Sequence, residues 1–160
     1  MAVDMFIKIG DIKGESRDQK HKGEIDIMSF SWGMSQSGSA NMGGGAGAGK
    51  VNVQDLSITK YLDSSTPALM LACCNGKHYP EALLVVRKAG EKPVEYLKIK
   101  MTDLIISSVT TGGSGGEDRL TENLSLNFAK VQVDYTPQDE KGAAGTTIPM
   151  GWDIAQNTKV

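Results

Sequence analysis

Apolar and polar residues alternate with a period of two along most of this chain, a pattern that predicts strands. Val3 to Ile9 is a short apolar run closed by Gly10. Ile25 to Met34 sets Met28, Phe30 and Trp32 on one face and Ser29, Ser31 and Gly33 on the other, which predicts a strand with one large apolar face and one small neutral face. The apolar phase then changes inside several runs: between Val53 and Leu56, between Met101 and Leu104, and between Phe128 and Val131. A change of phase marks a bulge, or a bend where a strand passes from one sheet to another. Repeated in this way, it predicts a mainly β fold: a small, closed or nearly closed barrel of bent antiparallel strands, two sheets packed together.

One helix interrupts the pattern. Ser65 or Thr66 offers an N-cap oxygen, Pro67 suits the first helical position, and Ala68 to Cys74 continue to a stop at Asn75-Gly76. The segment is short and apolar, so it is expected to flank the barrel. Leu83 to Val86 are unbroken apolar residues within a strand from Glu81 to Ala89, as burial on both faces requires. A turn over residues 89–93 leads to a long strand from Val94 to Thr111. A glycine hinge and the charged residues Glu117, Asp118 and Arg119 then precede a second long strand ending at Tyr135. Ser35 to Gly49 is almost wholly Gly, Ser and Ala, too poor in apolar side chains to offset its ordering entropy, and predicts an extended loop. The tail from Pro137 to Pro149 shares that character. Such loops order when another surface supplies contacts, which points to assembly.

Length and charge narrow the class. The 160 residues suit one domain, spanning 1–160, with a core large enough to need no disulfide or metal. A formal charge of −2 gives no basic field for nucleic acid. Cys73 and Cys74 are adjacent and cannot form an ordinary disulfide, which places folding in a reducing compartment and reads both as small buried apolar residues. The first residues carry neither a basic segment nor a long apolar run, and no later stretch spans a bilayer, so export would proceed without a Sec-type signal.

The candidate chemistry is thin. Gly44 to Lys50 matches a phosphate-cradling loop as far as the lysine, but Val51 stands where Ser or Thr binds magnesium, and a strand follows where a helix is required. His21 falls in the charged run Glu15 to Lys22, read as a solvated turn, and His78 in a helix-exit loop; neither has a partner pattern for nucleophilic or metal chemistry. Glu117, Asp118 and Glu122 around Arg119 lack the fixed cleft a hydrolase needs, and on an exposed hinge a local ion pair or partner contact is expected. Trp32 reads as core with Met28 and Phe30, and Trp152 as the pin of the C-terminal segment. A compact β domain with long loops and uncovered strand edges remains, and identical subunits joined head to tail cover such edges by closing a ring.

Several long stretches closely resemble the Hcp family, the haemolysin-coregulated proteins of the bacterial type VI secretion system. They are Met1 to Asp11, Ser31 to Gly38, Lys50 to Ser57, Gly76 to Pro80 and Ser107 to Tyr135, with a weaker echo at Gly151-Trp152; the tail over 137–160 is least alike. The resemblance implies a phage tail-tube-like barrel forming hexameric rings that stack into an inner tube, surrounded by a contractile sheath and tipped by a VgrG spike. It also implies small effector proteins carried in the ring, export from the cytoplasm through the apparatus itself, no cofactor and no catalysis. Within that frame Ser29 and Ser31 are expected to line the lumen. The loop bearing Ser39, Asn41, Gly43, Gly44, Gly45 and Lys50 is expected to stack rings, and Glu117, Asp118 and Arg119 to form an assembly contact. The competing readings are a dedicated effector chaperone and, more remotely, a small hydrolase or nucleotide-binding protein.

Overall fold

The computed structural model describes residues 3–36, 50–90 and 93–160. The elements are β1 (Val3–Ile9), β2 (Ile25–Asp26), β3 (Ser29–Ser31), β4 (Met34–Ser35), β5 (Asn52–Val53), β6 (Leu56–Tyr61), α1 (Thr66–Asn75), β7 (His78–Lys88), β8 (Glu95–Gly112), β9 (Thr121–Tyr135), β10 (Ile148–Asp153) and β11 (Thr158–Lys159). A nine-stranded antiparallel sheet runs β11-β10-β9-β8-β7-β1-β2, with β6 joining β9 to β3, and β4 and β5 form a second, two-stranded sheet. Pairing nearly returns on itself. The Ile27 amide donates to Met5 O at 3.1 Å and the Met28 amide to Thr59 O at 2.8 Å, so the short link between β2 and β3 bonds to β1 on one side and β6 on the other. The result is a nearly closed barrel around Ile9, Leu56, Leu84, Met101 and Leu126.

The changes of phase have a common origin. Tyr79 pairs with Leu104, and Leu104 with Phe128; Ala82 pairs with Met101, and Met101 with Val131. The inward positions therefore switch parity in β7, β8 and β9 along one line across the sheet, which bends there. Asp103, at φ 53, marks the bend in β8. The change between Val53 and Leu56 is a transfer between sheets, since β5 pairs with β4 while β6 pairs with β3 and β9.

The expected strand from Ile25 to Met34 is instead three short pieces. Ile25 and Ile27 are buried, whereas Met28 is 42% exposed and the inward side is resumed by Phe30 and Trp32, so Met28 does not belong to the core. The helix begins as expected with Pro67 in its first turn and ends at Gly76, whose φ of 64° lets its amide reach Ala72 O. Ser65 makes no side-chain cap; Asp63 Oδ1 accepts the Ser65 amide at 2.9 Å and Thr66 Oγ1 accepts the Asp63 amide at 3.1 Å. Leu69 and Ala72 bury against the barrel, but Cys74 is exposed and Cys73 only half-buried, which corrects the reading of both as buried. His78 is the first residue of β7, and its Nδ1 lies 3.2 Å from Asp103 Oδ1.

Two further segments depart from the sequence pattern. The run from Glu15 to Lys22 belongs to a strap over the outer face of β1 and β7. There His21 is buried, stacks on Phe6 with ring centroids 4.4 Å apart, and bridges Glu24 and Glu95 at 3.0 and 2.9 Å. Burial pushes the Glu95 carboxyl up, but the hydrogen bond and charge of His21, with Lys98, leave it below its ordinary value. Arg87, buried beside Phe6, grips Asp18 at 2.5 Å and Asp4 at 3.2 Å. The tail is also more regular than its composition predicts: Ile148 to Asp153 pair with β9 from Tyr135 back to Lys130, and Trp152 pairs with Lys159 of β11.

Candidate functional site

The outer side of β3, β6, β9 as far as Asn127 and the distal half of β8 is a wall of small neutral side chains. Strand pairing places Ser31 beside Ser57, Ser57 beside Ser125, and Ser125 beside Ser108; the next row is Ser29, Thr59, Asn123 and Thr110. Alternate residues of the same strands, Ile58, Leu124, Leu126 and Ile106, turn inward and are buried. Period-two alternation thus builds a greasy layer behind a hydroxyl surface. The surface is cross-linked: Thr59 Oγ1 donates to Asn123 Oδ1 at 2.6 Å, and the Ser125 hydroxyl bonds those of Ser107 and Ser108 at 2.7 and 2.6 Å. At one end, Asp55 accepts from Ser107 at 2.7 Å and from Asn127 at 2.8 Å.

Behind the wall lies a charge cluster. Lys60 and Glu122 are register partners on β6 and β9 and face inward, each fully buried, with Nζ 2.7 Å from Oε1. Lys60 also reaches Asp63 Oδ1 at 3.0 Å, Tyr61 O at 3.1 Å and Thr66 Oγ1 at 3.4 Å, which ties the base of the β8–β9 hairpin to the start of α1. Neither Glu122 oxygen accepts an aligned hydrogen bond among the described residues, so Lys60 is its one ionic partner there. Glu122 therefore does not join a carboxylate pair around Arg119.

At the other end of the wall the hairpin tip is exposed. Arg119 lays its guanidinium over the Tyr61 ring, 3.9 Å from the centroid. Met28, Tyr61, Asp118 and Arg119 border a shallow cavity there. Asp26 nearby is raised above the usual carboxylate range by burial and by the charge of Asp63.

Ser29 and Ser31 are thus two members of a larger surface, while Glu117, Asp118 and Arg119 lie at its far margin. Ser39, Asn41, Gly43, Gly44 and Gly45 lie outside the described residues; Lys50 is exposed and is followed by β5. Ser57, Thr59, Ser108, Asn123 and Ser125 were absent from the sequence-based selection. Their signal was present in the polar positions alternating with Leu56, Ile58, Leu124 and Leu126, but only pairing register shows that they continue the face of Ser29 and Ser31. Among the described residues no group of His, Cys, Asp and Glu is arranged to hold a metal, and no helix is long and apolar enough to cross a membrane.

Comparison with known proteins gives one answer. Residues 6–135 match the family described as type VI secretion system effector, Hcp. The chain is 66% identical to protein hcp1 of Pseudomonas aeruginosa over 161 residues, covering 99% of each. A solved structure described as a type six secretion system protein superposes with a TM-score of 0.93 at 31% identity, covering 99% of this chain and 100% of the other. Hcp1 from Salmonella typhimurium superposes with a TM-score of 0.82 at 37% identity, with 100% of both chains covered.

Proposed function

The chain belongs to the Hcp family of type VI secretion proteins, and we propose that it is a structural subunit of the inner tube, closing into hexameric rings whose lumen is lined by the serine-rich wall. The observation that carries this reading is the continuity of that wall across β3, β6, β9 and β8. A channel that must both hold and release a passenger favours small, neutral side chains, which offer hydrogen bonds without deep apolar burial.

The free edges of the wall support closure. β3 pairs only with β6, and β8 beyond Ile105 pairs only with β9 among the described residues, so the wall ends in an unpaired edge on either side. Two different edges on one subunit allow head-to-tail association, which closes into a ring when the rotation per subunit permits. Rings then stack, in this reading through the loop from Ser35 to Gly49; deleting its centre should leave single rings and weaken tubes, and normal tubes would refute that role. The sheath encloses the tube, a VgrG spike tips it, and the apparatus exports it from the cytoplasm with small effectors inside. The role is mechanical, not catalytic, and carrying effectors is a second duty of the same ring.

Replacing Ser31 or Ser29 with Tyr tests the lumen assignment. Each variant should keep the ring mass by light scattering yet retain less of a co-expressed effector on purification. Undiminished retention by intact rings would refute the assignment.

A further inference from the structure

We propose that Asp55 sets a charge preference on the wall, favouring passengers that present lysine or arginine side chains. The proposal rests on the lumen reading above and adds to it a chemical class of passenger.

Asp55 stands immediately before β6, in line with Asn127, and among the described residues it is the only formally charged one on the wall side of β3, β6, β9 from Thr121 to Asn127 and distal β8; beyond the bend the same side of β9 carries Lys130 and Asp134, one of each sign. Its position is built. The register of β8 on β9 passes from Ile106 opposite Leu126 to Ser108 opposite Ser125, so Ser107 is the extra residue of a bulge. Bulges re-aim side chains, and this one turns the Ser107 hydroxyl to Asp55 Oδ2 at 2.7 Å and to the Ser125 hydroxyl at 2.7 Å. Asn127 Nδ2 donates to Oδ1 at 2.8 Å. These donors are neutral: they orient the carboxylate without cancelling its charge.

A carboxylate has about four acceptor positions, and the two contacts among the described residues use only part of that capacity on a half-buried residue. In a ring every copy repeats the group, so the wall carries a belt of carboxylates in a confined channel, where low-dielectric walls concentrate the field. The hairpin tip with Glu117, Asp118 and Arg119 carries both signs and lies beyond Tyr61, about 20 Å from Asp55 at the usual strand rise. Within the neutral band, charge discrimination falls to Asp55.

The test uses assembled protein and two fluorescein-labelled Gly-Ser peptides that differ only in bearing lysine or glutamate, followed by fluorescence anisotropy. The lysine peptide should bind more tightly, by up to about fivefold for each exposed ion pair formed, and the difference should shrink as salt is raised. Asp55→Asn, which keeps shape and hydrogen-bonding capacity, should equalise the two peptides with ring mass unchanged, and Asp55→Lys should invert the order. Equal binding by the unaltered ring, absence of binding to intact rings, or an undiminished preference in Asp55→Asn would each overturn the proposal. Failure of the parent reading looks different: no ring forms, or Ser31→Tyr leaves passenger retention untouched.

Discussion

Lys60→Met should be far more damaging than Glu122→Gln, although the two residues form one ion pair. Both are fully buried, 2.7 Å apart. Without Lys60, the Glu122 carboxylate loses its one ionic partner and has no aligned hydrogen bond among the described residues. Stranding a buried charge in this way costs about 3–5 kcal/mol, a large share of the roughly 5–15 kcal/mol that holds a domain folded. Without the Glu122 charge, Lys60 keeps Asp63 at 3.0 Å, Tyr61 O at 3.1 Å and Thr66 at 3.4 Å, so the loss should be about 1–2 kcal/mol. The double variant Lys60→Met/Glu122→Leu removes both charges and should recover most of the single Lys60→Met deficit, since apolar replacement of a buried pair is often near neutral. Equilibrium urea unfolding followed by tryptophan fluorescence measures all three, at one protein concentration because assembly contributes its own stability. In thermal unfolding, Lys60→Met should lower Tm by roughly 6–20 °C. Equal costs for the two single variants, or a double variant no better than Lys60→Met, would refute the reasoning.

Other outcomes follow from local geometry. Hydrogen bonding from Arg87 holds Asp18 at about 2, below its unfolded value, so its contribution is complete above the unfolded value near 4 and is lost as pH falls through about 2. Acid unfolding of Asp18→Asn should therefore show a flatter dependence over that interval than the parent; identical profiles would exclude the pair as a source of acid resistance. Gly10 and Gly76 both have positive φ, 51° and 64°, but a Cβ at Gly10 would lie 2.5 Å from Tyr79 Cδ1 while one at Gly76 meets nothing within 4 Å. Gly76→Ala should cost about 1–2 kcal/mol and Gly10→Ala distinctly more, as read by urea midpoints; the reverse order would show that the Tyr79 ring moves freely. Leu69→Ala, at a site with 0% exposure, should cost about 2–5 kcal/mol by the same assay, and a cost below 1 would mean that α1 settles into the space.

Alternation and turn chemistry made the strands and the helix legible because both are local. The Pro67 start and Gly76 stop of α1 needed only caps and φ preferences, and the phase changes at Met101 and Phe128 foretold a bend whose position the register then showed to be shared with β7. What was illegible depended on distant partners. His21 looks solvated beside its charged neighbours, yet Phe6, Glu24 and Glu95 enclose it. Lys60 alternates as an inward residue, but its burial makes sense only with Glu122 across the strand pair and Asp63 before the helix. Met28 shares parity with Phe30 yet is exposed, lying where the backbone changes partners from Met5, bonded by the Ile27 amide, to Thr59, bonded by the Met28 amide. For the wall, Ser29 and Ser31 were visible as a small neutral face, while its extent over Ser57, Ser125 and Ser108 required the pairing. Asp55 was equally hidden, since its placement depends on the bulge at Ser107.

Electron microscopy of the assembled protein, reconstructed to side-chain detail, tests the central claim most directly. The account predicts a closed ring whose channel is lined by Ser29, Ser31, Ser57, Asn123 and Ser125, with the β3 edge of each copy beside the distal β8 edge of the next. A ring with that surface turned outward, or a protein that remains monomeric at all concentrations, would contradict it.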